Sequence, residues 1–304
     1  MPLLSLLLQK IAPLYALILL GWWAGHRLQV RKEAIANLLI YCFLPIVIFH
    51  SVLHSRLEGA RIWLPLIVFG ICTLICGLAW LWSRDNLPSP TSNLFAFAAG
   101  NANSGYFGFP LALALYGEEG LGLAVLISMG FVFYENTLGY YICARGKSSP
   151  REALNRVLRL PGPYAFVAAL LARKWGVTQI GWMEEWSVNT RACYSILGMM
   201  LIGMGMAECR WKDLDFKFVN SSLVFKFVLW PLVMGGLLAL FSWLSPLDPQ
   251  VRRSLWLVST LPMAGNVVAI AAALHLEPQK AALTVFLSTL LGMICIPVLL
   301  SLLV

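Results

Sequence analysis

The sequence predicts an all-α polytopic membrane protein, with ten transmembrane helices arranged as two inverted five-helix repeats. Of its 304 residues, 60% are hydrophobic and only 12% are charged, whereas a soluble domain carries roughly 25% charged residues. The 22 Lys and Arg residues exceed the 14 Asp and Glu residues by eight, so the net charge is +8. The basic residues lie between apolar segments, where they meet lipid headgroups rather than nucleic acid. In addition, the two halves are similar to each other, and each contains one interrupted apolar segment.

Ten apolar segments follow one another, and short polar connections separate them. Most are long enough to cross the roughly 30 Å hydrocarbon core of a bilayer, the sixth being the shortest. The segments are residues 4–25, 34–52, 62–82, 91–116, 121–143, 161–175, 192–207, 218–243, 254–276 and 280–304. The chain therefore divides into a first five-helix repeat (residues 1–145), a basic cytoplasmic linker (146–160) and a second, inverted five-helix repeat (161–304).

The basic residues predict the orientation of these segments. The connections on one side carry eight Lys and Arg residues and those on the other carry thirteen, which with Lys226 account for all 22. The side with more positive charge faces the cytoplasm. We therefore expect both termini outside and the central linker in the cytoplasm.

The fourth segment contains an unusual stretch, Gly-Asn-Ala-Asn-Ser-Gly-Tyr-Phe-Gly-Phe-Pro at residues 100–110. Its glycines loosen a helix, and Pro110 removes one backbone donor. A span broken at its middle is tolerated only where protein or a water-filled cavity covers the exposed backbone groups. We interpret the stretch as a discontinuous helix that lines a site near the membrane midplane, as in secondary transporters. The alternative is a Pro-kinked helix whose small residues serve only helix packing.

The second half repeats features of the first. Ala-Pro-Leu-Tyr-Ala opens the first segment and Pro-Gly-Pro-Tyr-Ala the sixth, and the ninth segment also carries a break, Leu-Pro-Met-Ala-Gly-Asn at residues 261–266. Because each half has an odd number of spans, the second half enters the membrane from the opposite face. Paired interruptions in corresponding segments of two halves indicate a transporter binding site, although chance similarity between apolar segments is the alternative.

Two charges lie well inside apolar segments, at Glu135 and Lys226. Counted from the cytoplasmic ends of their spans, both are roughly 12–14 Å deep. A charge at such a depth seeks a partner, protein or water. Similar depth and opposite sign predict that they pair and act in coupling. The alternative is that Lys226 snorkels towards the interface and Glu135 lies in a wet vestibule.

The chain resembles the auxin efflux carrier family of secondary transporters over nearly its whole length. The resemblance rests on the motifs Tyr-Cys-Phe-Leu-Pro (41–45), Asn-Ser-Gly-Tyr-Phe-Gly-Phe-Pro-Leu (103–111), Glu-Asn-Thr-Leu-Gly (135–139) and Pro-Met-Ala-Gly-Asn (262–266). It implies that the broken fourth and ninth helices cross, and that a transport bundle moves against a scaffold. It also implies organic-anion substrates such as auxin-like weak acids or malonate. The long cytoplasmic loop of plant members is absent, so the chain is similar to a bacterial-type member of the inner (plasma) membrane.

The candidate substrate-binding residues combine the two breaks with a second-segment face. They are Asn101, Asn103, Ser104, Gly105, Tyr106, Pro110, Pro262, Gly265, Asn266, Asn37 and Tyr41. Side-chain amides and half-helix N-termini attract carboxylates. His50 and His54 share a helix face, but no third ligand accompanies them, so we predict no metal site and no cofactor.

We expect a transporter rather than an enzyme, because neither a phosphate-binding loop nor a nucleophile motif is present. The expected partners are a small organic anion and the lipid bilayer, without nucleic acid, and a homodimer is left open. A cytoplasm-negative potential drives anions outward with about 2.3 kcal/mol per charge per 100 mV. Uncoupled export is therefore the default expectation, and import needs protons on Glu135 or on the substrate. A sodium-coupled symporter of the bile-acid type and a non-transporting membrane sensor are the alternatives.

Overall fold

The computed structural model of the chain describes residues 2–53, 59–177, 181–207, 215–244 and 247–303. These residues form α-helices, short π-helical and 3-10 turns and connecting loops, without a β-strand among them. The α-helices within these ranges are α1 (Pro2–Arg27), α2 (Lys32–Leu38), α3 (Leu44–Leu53), α4 (Leu64–Ser83), α5 (Thr91–Ala99), α6 (Phe109–Asn136), α7 (Leu138–Arg145), α8 (Pro150–Leu158), α9 (Pro161–Lys174), α10 (Gly181–Ala207), α11 (Phe216–Val224), α12 (Trp230–Leu244), α13 (Pro249–Thr260), α14 (Asn266–Ala273) and α15 (Pro278–Leu303).

Six helical stretches in the described part of the chain are long and apolar enough to cross a membrane. They are Lys32–His50, Arg61–Ser83, Glu119–Arg145, Met183–Ala207, Phe216–Leu244 and Pro278–Ile296. Two of them continue through a π-helical turn: Leu39–Phe43 joins α2 to α3, and Phe225–Leu229 joins α11 to α12. The all-helical, polytopic membrane class is therefore confirmed, while the count of ten spans and their inverted arrangement stay predictions.

Two helical regions differ from the sequence-based expectation. The seventh apolar segment was expected from residue 192, but α10 begins at Gly181. Its first turns carry Glu184, Glu185 and Arg191. Because of these charges, the first turns were not counted as part of an apolar segment. The basic linker contains a helix, α8, which starts with a capping box. The Ser149 side chain accepts the Glu152 N–H, and the Glu152 side chain accepts the Ser149 N–H.

The helices pack in two sets. In the first, α1 lies along α10 and α3 lies along α9. In the second, α4 contacts α5 and α6, α5 contacts α7, and α13 contacts α12 and α15. Helices α2 and α10 contact α14, so the two sets meet beside the second broken helix.

Candidate functional site

The first break is shorter than predicted. Helix α5 ends at Ala99, residues 100–103 are not helical, and a π-helical turn, Ser104–Gly108, leads into α6. Pro110 lies in the first turn of α6, where proline is better tolerated than in a helix interior. Gly100 permits a close approach at the break, because a Cβ there would lie 2.5 Å from the Tyr134 hydroxyl oxygen and 2.8 Å from the Cys72 carbonyl oxygen.

The second break separates α13 from α14. Residues 261–264 are not helical, and Gly265 precedes the first residue of α14, Asn266. The Met263 N–H donates to the Ser288 hydroxyl over 3.1 Å. The Asn103 N–H donates to the Pro262 carbonyl over 2.8 Å. The two breaks therefore contact each other through their backbones, and each satisfies a polar group that the other leaves without a helical partner.

A carboxylate lies where the breaks meet. Glu135, near the end of α6, is only 3% exposed. One of its oxygens accepts the Asn101 side-chain amide over 2.6 Å, and the other accepts the Asn266 side-chain amide over 2.8 Å. Asn101 belongs to the first break and Asn266 to the second. One carboxylate thus joins the side chains of both interrupted helices.

Lys226 reaches the same network from the other end of Asn101. Its Nζ donates to the Asn101 carbonyl over 3.0 Å and lies 4.2 Å from the centroid of the Trp230 ring. The predicted direct ion pair with Glu135 does not form in this conformation, and the bridge through Asn101 replaces it. The charge on Lys226 is stabilised by a carbonyl dipole and an aromatic face.

A cavity of about 100 Å³ opens beside this network. One buried water needs roughly 10–15 Å³ on this measure, so the cavity has room for several waters or a small organic molecule. Most of its wall is apolar. The polar side chains on it are Asn103, Ser104, Ser128, Glu135, Tyr194 and Asn266, and Gly105 and Gly265 also line it.

A smaller cavity, of about 10 Å³, lies on the opposite side of the same residues. Leu44, Glu135, Tyr194 and Asn266 line both cavities. The larger cavity continues along α3 towards Val52, whereas the smaller one continues along the preceding π-helical turn towards Leu39. These four residues therefore form a thin septum between two cavities that extend in opposite directions along the helices.

Tyr194 on α10 connects the two sets of helices at this septum. Its hydroxyl donates to the side-chain oxygen of Asn266 over 2.7 Å. Asn266 thus contacts Glu135 with its nitrogen and Tyr194 with its oxygen. Sequence reasoning missed Tyr194, because one Tyr in a span resembles an ordinary interfacial or packing aromatic.

The remaining candidate residues are distributed as follows. Asn37 and Tyr41 are exposed and are not among the residues that line these two cavities, so their place at the site stays a prediction. The backbone of Tyr106 belongs to the π-helical turn and that of Pro110 to α6, while their side chains are outside the described part of the structure. His50 contacts Glu184 and Arg191 on α10, and His54 is outside the described residues.

A helical membrane protein in which two interrupted helices meet beside a cavity lined in part by polar side chains has the organisation of a secondary transporter. The comparison with protein families agrees, since residues 6–155 match the family described as membrane transport protein. The match covers 150 of the 304 residues, and it confirms the resemblance to the auxin efflux carrier family that the sequence predicts.

Two archaeal relatives extend the similarity to almost the whole chain. A protein of Methanocaldococcus jannaschii is 23% identical over 294 residues, which cover 92% of this chain and 93% of that protein. A protein of Methanothermobacter thermautotrophicus is 22% identical over 299 residues, which cover 93% of this chain and 91% of the relative. Both are named uncharacterized transporters.

Proposed function

We propose that this protein is a secondary transporter of small organic anions, carboxylates in particular, and that it works by alternating access. The main support for this proposal is the site that forms where the two breaks meet. There, Asn103 and Asn266 line one cavity, and it has room for a small organic molecule. Amide N–H groups and the start of α14 offer hydrogen-bond donors and partial positive charge to a carboxylate.

The septum supports movement of a ligand rather than binding alone. Two cavities that extend in opposite directions share one wall, in which Asn266 and Tyr194 belong to different sets of helices. A displacement of one set against the other would open the smaller cavity and close the larger one. The packing of α1 with α10 and of α3 with α9 brings together the first two predicted spans of each half, which supports a scaffold against which the other helices move.

The test is flux in vesicles reconstituted with purified protein. A panel of mono- and dicarboxylates is offered while the membrane potential and the pH gradient are set separately. We expect saturable, protein-dependent flux of at least one carboxylate without sodium. Flux that needs sodium would favour the sodium-coupled symporter, and saturable binding without flux would favour the sensor.

Asn103→Ala tests the site itself. An amide bound to a charged ligand contributes roughly 1.5–3 kcal/mol, so we expect flux to fall about 10- to 100-fold while the protein stays folded in the membrane. Asn220→Ala, on an exposed position of α11, is the matched control and should transport normally. Normal flux in the Asn103→Ala protein would exclude Asn103 from the site.

A further inference from the structure

The amides that bind Glu135 are oriented by other contacts. The side-chain oxygen of Asn101 accepts the Ala102 N–H over 2.8 Å, so its nitrogen has to face Glu135. The side-chain oxygen of Asn266 accepts the Tyr194 hydroxyl, and its nitrogen faces the second oxygen of Glu135. Both oxygens of Glu135 therefore act as acceptors, which is the arrangement of an ionised carboxylate.

This arrangement places two carboxylates in competition. Asn266 lines the larger cavity, yet its donor group is already bonded to Glu135. A substrate carboxylate that reaches Asn266 from the cavity would lie beside Glu135 at hydrogen-bond range. Two carboxylates sharing one site do not both stay ionised, so one of them takes up a proton.

We propose that Glu135 is a built-in competitor of the substrate, and that a substrate carboxylate displaces it from Asn266 only as Glu135 binds one proton. This inference rests on the proposed function and names its coupling ion. The proton comes from water and stays on a Glu135 oxygen, and no covalent bond to the substrate forms. A monocarboxylate would then move without net charge, whereas a dicarboxylate would move with a net charge of minus one. Coupled transport thereby replaces uncoupled export as the expected mode.

We expect the solvent, rather than a charged or titratable neighbour, to supply the proton to Glu135. Lys226 bonds to the carbonyl of Asn101, Tyr194 bonds to Asn266, and Tyr140 lines the smaller cavity together with Glu135. Cys72 on α4 also lies within electrostatic range. In the described part of the chain, the direct hydrogen-bond donors to Glu135 are the two amides. The larger cavity reaches Glu135 and has room for several waters, so water on that side can bring the proton.

The test measures carboxylate affinity against pH, with malonate as the first probe and the carboxylate panel after it. From about pH 6.5 to about pH 8.5, carboxylic acids in water are mostly ionised. If binding takes up one proton, the wild-type Kd should rise with pH, approaching about tenfold per pH unit at the alkaline end. Glu135→Gln resembles the protonated side chain, so its Kd should not change with pH. Glu152→Gln is the matched control, because Gln also completes the capping box of exposed α8, and it should keep the wild-type slope.

The outcomes separate the two proposals. A wild-type Kd that does not change with pH, or a Glu135→Gln protein that keeps the wild-type slope, would overturn the role of Glu135 alone. Wild-type protein that binds no carboxylate at any pH would overturn the proposed function together with this inference.

A second measurement covers the case in which the Glu135→Gln protein does not fold. Wild-type vesicles with a trapped pH dye are given a malonate gradient at clamped potential, with protein-free vesicles as the control. We expect internal acidification in a fixed ratio to malonate entry. Malonate entry without acidification would overturn the inference.

Discussion

The two breaks meet, yet they differ in what surrounds them. At the first, buried groups bind the backbone: Lys226 Nζ donates to the Asn101 carbonyl, and the Trp230 indole N–H donates to the Ala99 carbonyl over 2.7 Å. Asn101 itself is fully buried. At the second, Asn266 is partly exposed to the cavity and bonds to Tyr194 of the other set of helices.

This difference indicates a division of roles. The contacts of the first break come from helices that pack in its own set, so they can persist while the two sets move. The Tyr194–Asn266 contact joins the two sets, so it has to break in any relative displacement. We therefore interpret the first break as the fixed part of the site and the second as the part whose contacts exchange.

The largest effect should come from removing the support of the first break. Lys226→Ala removes the ammonium from the Asn101 carbonyl and leaves a cavity beside Trp230, so we expect the free energy of unfolding to fall by about 3–5 kcal/mol. Lys226→Met keeps most of the volume and should cost about 1–3 kcal/mol. Unfolding in detergent micelles measures both.

Lys217→Met, on an exposed position of α11, is the control and should change stability by no more than about 0.5 kcal/mol. Lys226→Met and Glu135→Gln should also lose less together than the sum of their separate losses, because Asn101 joins the two side chains. A Lys226→Met protein as stable as wild type would contradict the fixed role of the first break.

Hydropathy predicted the all-helical membrane class, because a membrane span must be apolar over almost its whole length. The same physics explains the two misses. The first turns of α10 carry three charges, and α8 is a basic, amphipathic helix in which a capping box and not an apolar segment marks the start.

The polar positions of the site were predictable, whereas their partners were not. Asn103, Asn266, Glu135 and Lys226 stand out because hydrocarbon does not tolerate them without partners. Depth along a span gives the height of a charge in the membrane but not the direction in which its side chain points. The sequence therefore suggested an ion pair, whereas in the structure Asn101 lies between the two charges.

An intermediate effect should come from the exchanging contact of the second break. Tyr194→Phe removes the hydroxyl that binds Asn266, a loss of about 1 kcal/mol, which corresponds to a roughly fivefold shift between conformations. Ile270 lines the smaller cavity. In a cysteine-free background, the introduced thiol of Ile270→Cys should react with a thiol reagent up to about fivefold faster when Tyr194→Phe is also present.

Tyr15→Phe is the matched control. The Tyr15 hydroxyl on α1 is buried without a hydrogen-bond partner among the described residues, so its loss should not change the labelling rate at Ile270. Equal labelling of the wild-type and Tyr194→Phe proteins would mean that the Tyr194 contact does not hold the two sets together.

The two broken helices also differ at the ends that lie away from the breaks, which are the starts of α5 and α13. At the start of α5, the Thr91 hydroxyl donates to Glu277 over 2.8 Å, and Lys280 also contacts Glu277. At the start of α13, Asp248 accepts the Gln250 N–H over 2.8 Å and the Arg61 guanidinium over 3.0 Å. The second broken helix therefore begins at an exposed acidic cap.

The smallest effect should come from this cap. Asp248→Ala removes a helix cap and should cost about 1 kcal/mol, whereas Asp248→Asn keeps the cap, loses only an exposed ion pair and should cost less than about 0.5 kcal/mol.

The Gln250 N–H, and then Arg61, hold the pKa of the Asp248 carboxyl below its usual range. A lowered folded-state pKa means that the contribution is complete above the ordinary carboxyl pKa and is lost as pH falls through the lowered value. The difference between wild type and Asp248→Ala should therefore shrink on acidification, and unfolding measured at neutral and acidic pH tests this. A difference that grows at low pH would mean that the Asp248 carboxyl stabilises α13 in its protonated form.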